Sequence, residues 1–116
     1  MDPLHALTEQ IRLFAQERDW DRFHSPKNLS MALIAEAAEL LEHFQWATEE
    51  QSYALAPAKL QAVKHEIADV FIYLIRLADR MDIDLLSAAR EKLELNKQKY
   101  PADKVRGDAR KYSEYD

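Results

Sequence analysis

Four acidic residues fall into two matching pairs, Glu36 with Glu39 and Glu66 with Asp69. A spacing of three places both members of a pair on one face of a helix. Both pairs interrupt apolar runs. Glu36 lies on the line of Leu29, Leu33, Leu40 and Phe44, and Glu66 on that of Val63, Val70, Tyr73 and Leu77. Solvated helical acids usually have a lysine or arginine three or four residues away. Here those positions hold only alanine, apolar, acidic, histidine or tyrosine residues. Burying an uncompensated carboxylate costs roughly several kcal/mol, so either the acids take up protons or a cation completes the site. An all-carboxylate donor set suits Mg²⁺, with Mn²⁺ as a substitute. Such ions keep positions for water and phosphate oxygens, which makes phosphoryl chemistry the natural reaction class. A carboxylate di-iron site would need histidine in an E-x-x-H pattern, whereas the third positions here are Glu39 and Asp69.

Positioning these acids requires long helices, and the chain is rich in helix formers with a single glycine, Gly107. A first helix is expected from about Pro3 to Arg18, capped by Asp2, with Leu4, Leu7, Ile11 and Phe14 as its apolar stripe. Asp19 to His24 reads as an aromatic connector. Ser25-Pro26 opens a second helix reaching about Trp46, and the polar stretch Thr48 to Ala56 reads as a loop. Pro57 starts a third helix ending near Met81. Asp82-Ile83-Asp84 is a turn, and a fourth helix runs from Leu85 to Lys99, stopped by Pro101. The fold expected is all-α: a four-helix bundle over residues 1–100, followed by a charged, irregular tail over 101–116. The second and third helices are apolar all round, which implies burial on several sides. A four-helix protomer cannot cover both, so assembly into a dimer or tetramer is expected.

The 116 residues fit one modest domain. The formal net charge of −5 disfavours a protein that coats nucleic acid, though a metal can bring a nucleotide to an acidic site. No cysteine is present, which excludes disulfides and zinc-thiolate sites and is compatible with a reducing cytoplasm. Neither a signal peptide nor a membrane span is expected.

The remaining candidates surround the second and third helices. Trp20 and Trp46 flank the second helix and read either as core or interface residues or as faces for a planar base. His24 and Asn28 lie near its start, with Phe23 in the connector. Tyr73 stands one turn past Asp69, with Arg76 and Arg80 beyond it as expected surface cations. Asn96 and Lys97 close the fourth helix, where a lysine either answers the helix dipole or reaches a phosphate.

Taken together, Glu17-Arg18-Asp19-Trp20-Asp21-Arg22-Phe23-His24, Pro26, Asn28-Leu29, Ala35-Glu36-Ala37-Ala38-Glu39-Leu40, Phe44-Gln45-Trp46, Glu66-Ile67-Ala68-Asp69-Val70, Ile72-Tyr73-Leu74, Asn96-Lys97 and Tyr100-Pro101 resemble the MazG-like all-α NTP pyrophosphohydrolases, and within them the dCTP pyrophosphatase branch. The similarity covers roughly residues 8 to 112. It implies metal ligation by Glu36, Glu39, Glu66 and Asp69, with Glu36 or Glu39 orienting the attacking water. It also implies base and sugar contacts from Trp20, Phe23, His24 and Trp46, and phosphate-side contacts from Tyr73, Asn96 and Lys97; Asn28 is a further substrate-binding candidate. The implied activity is Mg²⁺-dependent conversion of dCTP to dCMP and pyrophosphate by a homodimer or tetramer. Ile11 stands where some members carry a histidine near the base, and Gln98 where a basic residue is frequent. Alternatives are dUTP, damaged nucleotides or broad NTP use, and a non-catalytic helical oligomerisation module.

Overall fold

The computed structural model describes residues 2–109, and every regular element among them is helical. Two compact units divide the chain, Met1–Ile83 and Asp84–Asp116. The first contains α1 (Pro3–Glu17), a 3-10 turn (Asp21–Phe23), α2 (Pro26–Glu42), α3 (Glu49–Ser52) and α4 (Pro57–Arg80). The second contains α5 (Leu85–Lys99) and α6 (Ala102–Val105).

Helix starts follow the capping chemistry read from sequence. The Asp2 carboxylate accepts from the His5 amide at 3.0 Å and the Ser25 hydroxyl from the Asn28 amide at 3.1 Å, each followed by proline at the first helical position. Two helix ends use aspartate where glycine is usual. Asp19 and Asp82 take left-handed backbone, with φ of 55° and 53°. The Trp20 amide then reaches back to the Ala15 carbonyl and the Ile83 amide to the Ala78 carbonyl, both at 2.9 Å. These are the 6→1 bonds of a helix C-cap, and aspartate tolerates the conformation better than most residues with a Cβ.

The structure departs from the expectation in three places: the end of α2, the loop before α4, and the tail, where the expected irregular stretch forms the one-turn helix α6. α2 ends at Glu42 rather than near Trp46, and residues 43–47 continue as turns. Within the expected loop, Thr48 and Gln51 close a capping box, with bonds of 3.1 and 2.9 Å, and start the one-turn helix α3. The T-x-x-Q signal was present, and Glu49 and Glu50 in the first turn suit the helix dipole. In the tail, α6 precedes Gly107, whose φ is 77°. The irregular structure expected for residues 110–116 lies outside the described residues.

In the first unit α2 packs along α4, and α1 leans more lightly on α4. The core is small: Ala15, Leu29, Val63, Ile75 and Ala78. Several apolar residues remain exposed in the single chain, among them Met31, Ile34 and Leu41 on α2 and Ile67 and Phe71 on α4. No described helix is long and apolar enough to cross a membrane.

Leu29 is the large side chain that α2 buries completely, at 1% exposure. Leu29→Ala is expected to lower unfolding free energy by about 2–4 kcal/mol, read as a lower urea midpoint. An unchanged midpoint would show that this small core does not hold the unit together.

Candidate metal centre and its aromatic flank

Glu36 and Glu39 project from adjacent turns of α2, and Glu66 faces them from α4. One carboxylate oxygen from each lies within 4.8 Å of the others. Glu36 is the crowded member. A side-chain hydrogen bond shared with Glu66, then loss of solvent, then a hydrogen bond with Glu39 and repulsion from both acids push its pKa up to about 8. Among the described residues no lysine or arginine forms an ion pair with Glu36, Glu39, Glu66 or Asp69. A proton on Glu36 is what the chain itself supplies to relieve the crowding. A divalent cation would replace that proton and meet an all-oxygen donor set, so the residues fit such an ion. Asp69 is exposed on α4 and lies outside the three-acid cluster.

The aromatic connector is held at the other end of the α2–α4 pair. Arg76, on α4, is 2% exposed. Its Nε donates to His24 Nδ1 at 3.1 Å and its Nη2 to Asp21 Oδ1 at 2.5 Å. Asp79 sits 3.6 Å from its Nη1 and receives both donors of an Arg12 fork at 3.0 and 2.7 Å. Arg80 donates to the backbone carbonyls of His24 and Asp21. Arg76 is therefore no surface cation: Asp21 and Asp79 neutralise it in place. Sequence reasoning missed this network. Its signal was a cation set between Ile75 and Leu77 of an apolar helix, with Asp79 three residues on.

The other candidates take varied positions. Trp20 is 42% exposed, edge-on to Phe14 with centroids 5.7 Å apart and tilted against His24 at 6.1 Å. Phe23 is exposed beneath the Arg22 guanidinium, 5.0 Å away. Asn28 donates to the Phe23 carbonyl at 3.0 Å, which spends its amide on shaping the connector. Trp46 follows α2 and is 90% exposed, so it is not a core residue of the single chain. Tyr73 is half-buried on α4. Asn96 and Lys97 belong to α5 in the second unit, where Lys97 lies 3.6 Å from Glu94.

An all-α scaffold whose apolar helices bring unpaired acids together defines the class of protein. A sequence model of the MazG-like family matches residues 32–115, and the chain belongs to that family. It is 44% identical over 103 residues to dCTP pyrophosphatase 1 of Homo sapiens and 46% identical over the same length to that of Mus musculus. Each match covers 87% of this chain and 61% of the relative, so the chain spans about three fifths of those proteins. A crystal structure of a pyrophosphatase from Archaeoglobus fulgidus DSM 4304 superposes with a TM-score of 0.82 at 37% identity, covering 87% of this chain and 94% of that one.

The state of Glu36 has a consequence for stability. Its pKa is about 8 in the folded chain and takes its ordinary value of 4.5 on unfolding. The raised value means that the stability associated with its proton is complete below the unfolded pKa and is lost as pH rises through 8. Without metal, wild-type protein is expected to lose urea resistance between pH 6.5 and pH 9. Glu36→Gln removes the charge and is expected to exceed wild type at pH 9. Equal midpoints for the two proteins at pH 9 would show that the acids are not crowded.

Proposed function

We propose that the chain is a divalent-metal-dependent nucleoside triphosphate pyrophosphohydrolase, with dCTP as substrate and dCMP and pyrophosphate as products. The observation that carries this reading is the convergence of Glu36, Glu39 and Glu66 without a cationic partner among the described residues. Membership of the MazG-like family and the names of the relatives support it. Under this reading Glu36, Glu39, Glu66 and Asp69 hold Mg²⁺, or Mn²⁺ in its place. Asp69 would join the cluster by a side-chain movement from its exposed position one turn beyond Glu66.

Bound Mg²⁺ supplies charge neutralisation to the triphosphate. The protein supplies position. Glu36 or Glu39, whichever keeps a free oxygen, accepts a hydrogen bond from a water and aligns it with the α–β phosphoanhydride. The water passes a proton to that carboxylate as its oxygen bonds to phosphorus, the bridging P–O bond breaks, and pyrophosphate separates from the nucleoside monophosphate. Within the first unit, Trp20, Phe23, His24, Asn28 and Trp46 take the nucleoside and Tyr73 the phosphates; for Asn96 and Lys97, in the second unit, a phosphate-side role rests on the family resemblance alone. Trp46 suits this role because its ring is already open to a planar partner. We also treat residues 1–100 as one functional domain with a charged tail over 101–116; the family match over residues 32–115 crosses the boundary between the compact units and extends into that tail. A cytoplasmic location accords with the lack of cysteine.

The exposed apolar residues of α2 and α4 support a homodimer or a dimer of dimers. Ile34 is 68% exposed and Leu41 61% in the single chain, on a helix whose other side is already packed. Sedimentation velocity is expected to give a dimer or larger species. A monomer throughout the micromolar range would contradict the assembly.

The decisive experiment is product analysis after incubating dCTP with Mg²⁺, alongside the other dNTPs, dUTP and methylated or oxidised nucleotides. dCMP and pyrophosphate in equal amounts are expected. Glu39→Gln and Asp69→Asn are expected to reduce turnover by roughly 10³-fold or more with unchanged helicity. Retained activity in either variant, or release of inorganic phosphate alone, would overturn the scheme. A wild-type protein with neither turnover nor a Mg²⁺-dependent thermal shift would be a non-catalytic helical module.

A further inference from the structure

We propose that Arg76 is a positioning residue that fixes His24 as the tautomer protonated on Nε2, so that His24 offers a hydrogen-bond donor to an acceptor atom of the nucleobase. This rests on the nucleotide reading above and extends it to how the base is read.

The chemistry begins at the guanidinium. Arginine Nε–H only donates, so a ring nitrogen facing it must accept. The 3.1 Å contact is to His24 Nδ1, which must therefore carry its lone pair. In a neutral imidazole the proton is then on Nε2. Arg76 is fixed in this role. It is 2% exposed, its Nη2 is bound to Asp21, and its Nη1 faces Asp79, itself locked by the Arg12 fork. Arg80 holds the backbone of the same turn through the carbonyls of His24 and Asp21. The imidazole is thus restrained at its ring nitrogen and at its main chain.

The charged groups facing the ring favour the neutral form. Loss of solvent lowers the His24 pKa most, Arg76 lowers it further, Asp21 opposes this and Arg80 adds to the lowering. At neutral pH the ring is an uncharged, directional donor. Nε2 has no protein partner among the described residues. It is not one of their buried unpaired atoms either, so it reaches solvent. Its ring lies against Trp20, 6.1 Å between centroids, and Trp20 is 42% exposed, which leaves aromatic surface for a planar ligand. A stacking surface beside a fixed donor would take a base with an acceptor on its edge, such as a ring nitrogen or the carbonyl of a pyrimidine.

Arg76 stands ten residues from Glu66 on α4, about 15 Å along the helix axis. Its replacement should leave metal binding alone. The test is a long-range ¹H–¹⁵N correlation spectrum of the histidine rings at neutral pH, with His24 assigned by its loss in His24→Gln. Wild type is expected to show Nε2 protonated and Nδ1 unprotonated as a single species. Arg76→Met is expected to show averaged tautomers, a KM for dCTP about three- to tenfold higher, and little change in kcat or in the Mg²⁺ midpoint. A wild-type proton on Nδ1, or averaged tautomers in wild type, overturns the proposal even if Arg76→Met fails to fold. A folded Arg76→Met protein with unchanged tautomer and KM overturns it as well. Absence of hydrolysis in wild type would instead defeat the enzyme reading and the base-reading role, leaving the fixed tautomer to be judged by the spectrum alone.

Discussion

Like-charge crowding of carboxylates between two apolar helices is the constraint on which the rest of the structure turns. Glu36 is caught between Glu39 on its own helix and Glu66 on the facing one, and among the described residues no arginine or lysine relieves it. A helix pair packed only for stability would carry an aliphatic side chain there. The site trades core for charge, and the single chain accordingly has few fully buried residues. The tension can be relieved by a proton or by a metal ion, and the ion stabilises the fold wherever it binds the native state alone.

The opposite end of the α2–α4 pair solves a different electrostatic problem in a different way. There the buried charge is a guanidinium, and the chain supplies its own neutralising groups in Asp21 and Asp79. Arg76 donates from Nε to His24 and from Nη2 to Asp21, Arg80 donates to the His24 carbonyl, and the short connector between α1 and α2 is so tied to α4 without a core of its own. The left-handed Asp19 ends α1, and the next five residues, Trp20 to His24, turn the chain under Arg76 and Arg80. Among the described residues one end of the pair is left short of cations, and at the other the buried cation has two aspartate partners. An open demand for positive charge is what a ligand-binding centre needs, whereas a satisfied network is what a rigid frame needs.

Much of this was legible in the sequence. Helix starts at Pro3, Pro26, Pro57 and Leu85 follow from caps and prolines, and the acid pairs were visible because no lysine or arginine lay three or four residues from any of them. Less was legible at the ends. α2 stops at Glu42 with no glycine or proline to mark it, and the capping box at Thr48 was hidden in a polar stretch. The meeting of Glu36 and Glu39 with Glu66 depends on the register of α2 against α4, which local spacing does not encode. The largest omission was Arg76. Its partners Asp21, His24 and Asp79 lie 55, 52 and 3 residues away, and a helical wheel shows only the last.

That omission bears on how specificity arises in such a small fold. Stacking on an indole takes any base, because every base has a π-face. Discrimination needs a polar group with fixed direction and fixed protonation, since a freely rotating imidazole can donate or accept and so rejects nothing. Burying Arg76 against Nδ1 removes that ambiguity, and the cost of burying it is offset by two aspartates, one of them held in place by the Arg12 fork, rather than by the ligand. Residues far from any bound base can therefore decide which base fits, and changes at Arg12, Asp21 or Asp79 would act on recognition through Arg76 while leaving the acids untouched.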